Sequence, residues 1–138
     1  MERALSGPGL ENIYHYLVSI NKGTVLEKTN DKSLASLISE KGLKKECPLC
    51  EKTLDMFITL YGAEAGNIAL RCYSLGGVFI GGGIAPKILD KFKTPAFMEA
   101  FTAKGRLGKL LSTIPVKIIL NEETALLGAA YYANCFLR

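Results

Sequence analysis

No apolar run in this chain approaches the roughly 18 to 20 residues that a membrane-crossing helix needs. The longest, residues 125–137, is interrupted by Asn134. The first residues, Met-Glu-Arg-Ala-Leu-Ser-Gly-Pro-Gly, have no hydrophobic leader core, so the expectation is a cytoplasmic protein with reduced thiols and no membrane partner. Positive charge is never concentrated: the net +4 comes from scattered lysines and modest pairs such as Lys44-Lys45, with no basic stripe interleaved with aromatics. Nucleic acid is therefore not an expected partner. The G-x-G-x-x-G and G-x-x-x-x-G-K-[ST] fingerprints are both missing, which argues against a dinucleotide site of the usual kind and against a Walker-type phosphate loop.

Ligands for a metal are equally scarce. His15 is the single histidine, and Asp31, Asp55 and Asp90 are the only aspartates, each where a loop or helix surface is expected. Of four cysteines, Cys47-Pro-Leu-Cys50 has knuckle-like spacing, but Cys72 and Cys135 are solitary and no histidine pair completes a tetrahedral set. No βαβ pattern of the redox kind surrounds the pair, so both cysteines read as packing residues at a helix start. No metal ligand is assigned.

What is present describes a globular protein. Hydrophobic residues make up 49% and charged residues 22% of 138, enough apolar surface to build a core and too much for disorder. Residues 76–86, Gly-Gly-Val-Phe-Ile-Gly-Gly-Gly-Ile-Ala-Pro, read as a short strand, a turn of three glycines and a helix start opened by Pro86. Without Cβ atoms, Gly81, Gly82 and Gly83 permit positive φ and let a flat or anionic ligand approach the main chain. A tight turn with no ligand is the competing explanation.

Periodicity supplies the remaining elements. Leu10, Ile13, Tyr14, Leu17 and Val18 share one helical face after the Gly-Pro-Gly turn. A polar loop over residues 21–31 leads to a short helix with Leu34, Leu37 and Ile38 inward and Gly42 as its stop, and both helices are expected to be peripheral. Residues 48–75 keep helical period through Leu54, Phe57, Ile58, Tyr61, Ala65, Ile68, Ala69 and Cys72. Gly62 and Gly66 within it cost about 1 kcal/mol each in helix propensity, which a closely packed neighbouring backbone explains. Gly76 and Gly77 are read as ending that helix.

Further on, Thr94-Pro95 starts a helix with Phe97, Met98 and Phe101 inward, Gly105 breaks it, and a short helix near residues 107–111 follows. Residues 115–120, Pro-Val-Lys-Ile-Ile-Leu, read as a strand buried on both faces apart from Lys117. Asn121 caps a last helix, residues 122–137, carrying the small-residue patch Gly128-Ala129-Ala130, which permits a close crossing. Each strand is followed by a helix, as in a parallel α/β sheet, but two strands make a poor sheet. The pattern suggests part of a larger domain whose other strands lie elsewhere, with exposed sheet edges and apolar surface on both strands.

Taken together, Glu2-Arg3-x-Leu5-Ser6-Gly7-Pro8-Gly9-Leu10-x-Asn12-Ile13-Tyr14, the 76–86 segment, Lys104-Gly105-Arg106, Ile114-Pro115-Val116 and Leu126-Leu127-Gly128-Ala129-Ala130 resemble the C-terminal portion of bacterial glucokinases. The resemblance covers nearly the whole chain. It implies a helix-rich α/β fold, part of an actin-like, ribonuclease H-like ATPase domain: residues 1–120 as the second half of a large domain, and residues 121–138 as a C-terminal helix packing with a missing small domain. It implies glucose and ATP with Mg as substrate and cofactor, and a homodimer or pairing with a missing N-terminal half.

By the same resemblance Gly81, Gly82 and Gly83 are nucleotide-binding, and Glu2 is the carboxylate that accepts hydrogen bonds from sugar hydroxyls. The segment carrying the family's phosphate loop, its general-base aspartate and its glutamate-glycine-glycine-histidine sugar motif has no counterpart here. His15, between Tyr14 and Tyr16, is not in such a motif. No residue is therefore assigned as catalytic, and the chain alone is expected to be inactive as an ATP:glucose phosphotransferase, the first step of glycolysis. The alternative is a non-catalytic sugar- or nucleotide-binding module, or a regulator, derived from the same fold.

Overall fold

A computed structural model of the chain describes residues 3–21, 25–26 and 31–136. Helices α1 (Gly7–Asn21), α2 (Leu34–Leu43) and α3 (Pro48–Cys72) come first, then strand β1 (Val78–Ile80) and the short helices α4 (Ile84–Lys87) and α5 (Leu89–Phe92). Helix α6 (Pro95–Thr102), a single 3-10 turn at Gly105–Leu107, α7 (Gly108–Leu111), β2 (Val116–Ile118) and α8 (Thr124–Phe136) complete the order. The strands pair in parallel, Val78 with Val116, Phe79 with Lys117 and Ile80 with Ile118. The helix-rich arrangement with two parallel strands is the one the pattern suggests.

Helix α3 is the spine, with α1, α2 and α6 packed on it. Its start is set by Cys47, which is extended and accepts the Cys50 N–H, with Pro48 in the first turn, where a missing N–H needs no partner. The five α1 residues Leu10, Ile13, Tyr14, Leu17 and Val18 are all buried, as their spacing requires. They meet Ile38 of α2 and Leu54, Phe57 and Ile58 of α3 in one core. Continuing from Phe57 along α3, the rings of Phe57, Tyr61, Phe92, Phe97 and Phe101 form a chain of edge-on, tilted and stacked contacts with centroids 5.1 to 6.3 Å apart. The four phenylalanine rings are buried, each burial contributing about 1.5 to 3 kcal/mol, and Tyr61 is partly buried between them.

Gly62 and Gly66 behave as expected: a Cβ on either would run into the carbonyl of Phe97 or of Phe101 on α6. Other expectations are corrected. The first two helices are not peripheral, since α1 and α2 carry a large share of the core. Gly7-Pro8-Gly9 lies inside the first turn of α1 rather than before it, because Ser6 Oγ accepts the Gly9 N–H at 3.0 Å and so caps one residue ahead of the glycine. Gly42 is not a stop: it is buried within α2, where a side chain would meet Leu54 and the Cys50 backbone, and the left-handed residue beyond the helix is Lys45 at φ 59°.

Helix α3 ends earlier than the glycine pair suggests, at Tyr73, which takes the left-handed conformation (φ 51°), while Gly77 (φ 131°) turns the chain into β1. Pro86 is the third residue of α4, not the first. Met98 points outward and Leu37 is only partly buried. Strand β2 is half-buried rather than buried on both faces, because Val116 and Ile118 pack on the core while Lys117 on the opposite face is exposed and the described residues supply only one neighbouring strand. Phe79 and Leu120 are 62% and 60% exposed. Lys117 Nζ stands 5.6 Å from the centre of the Phe79 ring, a cation–π contact across the paired strands.

Helix α8 begins where Asn121 accepts the Glu123 N–H through its side chain and the Thr124 N–H through its carbonyl. No residue of α8 is buried: Leu126, Leu127, Tyr131, Tyr132 and Phe136 are all more than half exposed. A Cβ on Gly128 would meet nothing within 4 Å, so the small-residue patch has no crossing partner among the described residues. No helix among the described residues is long and apolar enough to cross a membrane.

Candidate functional site

The glycine run separates two clefts. Gly83 opens onto the larger, of about 550 Å³, between the start of α1, the outer face of α2 and α4. Gly81 opens onto a smaller one of about 330 Å³, beside Leu5, Tyr61, Glu64 and Phe79. Gly82 makes the turn between them at φ 99°, and it alone of the three holds a conformation that favours glycine. At Gly83 a Cβ would meet nothing within 4 Å. Packing does not demand glycine there.

The larger cleft has an apolar floor of Leu10, Leu43, Ile84 and Ile88 and a polar rim from Ser36, Ser39, Glu40 and Lys87. Its walls are tied together. Glu11 of α1 accepts the Ala35 N–H of α2 at 3.2 Å, and Ser33 caps the same helix by accepting the Ser36 N–H at 3.2 Å. The Gly9 N–H is likewise held by Ser6. These backbone donors are already paired, so the helix starts do not form an open anion nest. The apolar floor and the serine hydroxyls suit a flat heterocycle and a ribose, and Lys87 is a cation on the same rim.

Among the described residues, Glu40 is the only carboxylate lining the larger cleft. Hydrogen bonds from Lys32 and then Lys44, the latter at 2.9 Å, hold its carboxyl well below the usual range, at about 2. Both oxygens are therefore engaged. Among the described residues no group of three His, Cys, Asp or Glu side chains is placed to hold a metal. The donor set at this cleft does not fit the magnesium that the resemblance implies.

Behind the α1 wall, Tyr14 is almost fully buried and its hydroxyl accepts the Leu26 N–H at 3.1 Å. Burial pushes its pKa up. Asp55 and Asp90 are exposed and paired with Lys91 at 2.6 Å and Lys93 at 3.0 Å, Asp31 is exposed, and His15 is exposed with its ring edge-on to Tyr14. None faces either cleft. Glu2 lies outside the described residues. Sequence reasoning misses the α2 rim; the signal is there in serines at 33, 36 and 39, a short-hydroxyl face where a solvent-exposed helix ordinarily carries long charged side chains.

The model of one protein family, Glucokinase, matches residues 1–135. The chain belongs to the glucokinase family. It is 41% identical over 133 residues to the glucokinase of Colwellia psychrerythraea and 44% identical over 131 residues to that of Psychromonas ingrahamii. These matches cover 96% and 95% of this chain, but only 40% and 39% of the relatives. The crystal structure of a glucokinase from an Antarctic psychrotroph superposes with a TM-score of 0.82 at 32% identity, over 96% of this chain and 40% of that one. The chain thus spans about 40% of the length of its relatives, in their C-terminal portion.

Proposed function

We propose that this chain carries the adenosine-binding side of an ATP-dependent glucokinase, whose whole form transfers the γ-phosphoryl group of ATP to the 6-hydroxyl of glucose at the start of cytoplasmic glycolysis. The observation that carries the reading is Gly83, which lacks a side chain where there is room for one and opens onto a cleft of about 550 Å³ with an apolar floor and a hydroxyl rim. In this proposal the Gly83 backbone passes close to the purine and ribose, and Gly81 and Gly82 supply the strand end and the turn that present it. Leu10, Ile84 and Ile88 cover the base, and Ser36 and Ser39 face the sugar.

Phosphoryl transfer is chiefly a matter of positioning and charge neutralisation. Nothing in the cleft supplies a general base, a phosphate loop or a magnesium site, so the chain alone is proposed to bind nucleotide without turnover. Those parts, with the sugar site that Glu2 would complete, belong to the segment matching the rest of the relatives. Residues 1–120 are then the second half of a large actin-like domain, and residues 121–138 lie against the small one. The unburied apolar face of α8 supports that arrangement. Titration with ATP, comparing the native chain with a Gly83→Leu variant, tests the proposal.

A further inference from the structure

Cys47 and Cys50 are unused by the nucleotide reading, and the structure brings them together. Cys47 caps α3 in an extended conformation (φ −139°, ψ 110°), so its Sγ folds back over the first turn and accepts the Cys50 N–H at 3.3 Å. Cys50 lies one turn on with no exposure, while Cys47 is partly open to solvent. Residues three apart across a first helical turn have Cα atoms roughly 5 Å apart, inside the range a disulfide spans. Both thiols are free.

We propose that Cys47 and Cys50 form a peroxide-oxidisable dithiol at the foot of α3. The sulfur that solvent reaches, Cys47, attacks a hydroperoxide: its lone pair forms the S–O bond, the O–O bond breaks, and the departing oxygen takes the thiol proton to leave as alcohol or water. The Cys50 sulfur then attacks Cys47, the S–S bond forms, the S–O bond breaks, and the hydroxyl leaves as water with the Cys50 proton. Two electrons pass from the dithiol to the peroxide. A small external dithiol reverses the step by exchange.

The surroundings assign the two roles. Burial first, then the hydrogen bond with Cys47, pushes the Cys50 thiol up to about 12 and shields it from reagents in solution, while the folded-back Cys47 Sγ, 3.3 Å from the Cys50 nitrogen, is the partner sulfur the helix start places beside it. The Cys50 backbone carbonyl lies against Gly42 of α2, so the foot of α3 is packed directly on that helix.

The test uses the 138-residue chain carrying Cys72→Ser and Cys135→Ser, which removes its two exposed thiols. After hydrogen peroxide, residues 47 and 50 are expected in one linked peptide lighter by about 2 Da, neither is alkylated after denaturation, and dithiothreitol restores both. Adding Cys50→Ser is expected to trap Cys47 as a dimedone-reactive sulfenic acid. Recovery of Cys50 as an alkylatable thiol while Cys47 gains about 32 Da as sulfinic acid overturns the proposal. So does the survival of both thiols.

Discussion

The Cα of Gly62 faces the carbonyl of Phe97 with no space for a side chain between them. That contact, repeated one turn on between Gly66 and Phe101, is what lets α6 lie against α3 and bring five aromatic rings together. Ala at 62 gains helix propensity worth about 1 kcal/mol but forces the two backbones apart. Gly62→Ala is expected to destabilise the fold by about 2 kcal/mol or more. Gly128→Ala, on exposed α8 with nothing near, is expected to be neutral or stabilising. Urea unfolding of the two variants checks both.

Much of this packing is legible in the amino-acid sequence. Two glycines four apart in a long apolar helix have few explanations other than a close neighbour, and α6 is that neighbour. The positions of Leu10, Ile13, Tyr14, Leu17 and Val18 are equally plain, because a buried face leaves a periodic mark. The larger cleft leaves no such mark: α2 reads as an outlying helix, since nothing local says that its serine face lines a cavity shared with Gly83. Strand β2 misleads for a related reason. A run of β-branched residues reports what it is built to be buried by, and the layer that would cover it is not among the described residues.

Alkaline conditions are expected to unfold the chain earlier than its lysines alone would. Burial raises the Cys50 thiol from 9.0 to about 12 and also raises Tyr14 and Tyr61 above 10.0. A raised acid is neutral in the fold while its unfolded counterpart ionises, so this contribution is full below pH 9 and is lost as pH rises toward 12. Denaturation midpoints measured from about pH 8 to 11 are expected to fall, and Cys50→Ala is expected to flatten the part of the slope that begins near pH 9. A slope unchanged by that substitution contradicts the assignment.

At the acid end, Glu40 carries the largest carboxylate shift among the described residues, from 4.5 to about 2. A depressed carboxyl contributes stability above its unfolded pKa and loses it as pH falls from about 4.5 toward 2. Because the group is exposed, the effect is expected to shrink with added salt. Carboxyl-carbon NMR titration is expected to give a midpoint near 2, moving up toward the ordinary value in Lys32→Met, with Lys44→Met acting in the same direction.

Joining residues 1–135 of this chain to the N-terminal portion of the Colwellia glucokinase, 41% identical over the matched region, is expected to give glucose- and ATP-dependent formation of glucose 6-phosphate. The chain alone is expected to give none. Hydrogen exchange in α8 is expected to slow in the joined protein as Leu126, Leu127, Tyr131 and Tyr132 become covered. A folded but inactive joined protein would favour a binding module over an enzyme.

The most direct measurement is calorimetric titration of the chain with ATP, alongside Gly83→Leu and Gly128→Leu variants. Leucine at 83 starts from a position where a Cβ meets no protein atom within 4 Å, so the fold is expected to hold while the opening onto the cleft is filled; leucine at 128 is the distant control. The expected result is saturable binding by the native chain and the control, weakened about tenfold or more by Gly83→Leu, equivalent to about 1.4 kcal/mol or more. Equal affinity in all three, or no binding by the native chain, would contradict the placement of adenosine at this cleft.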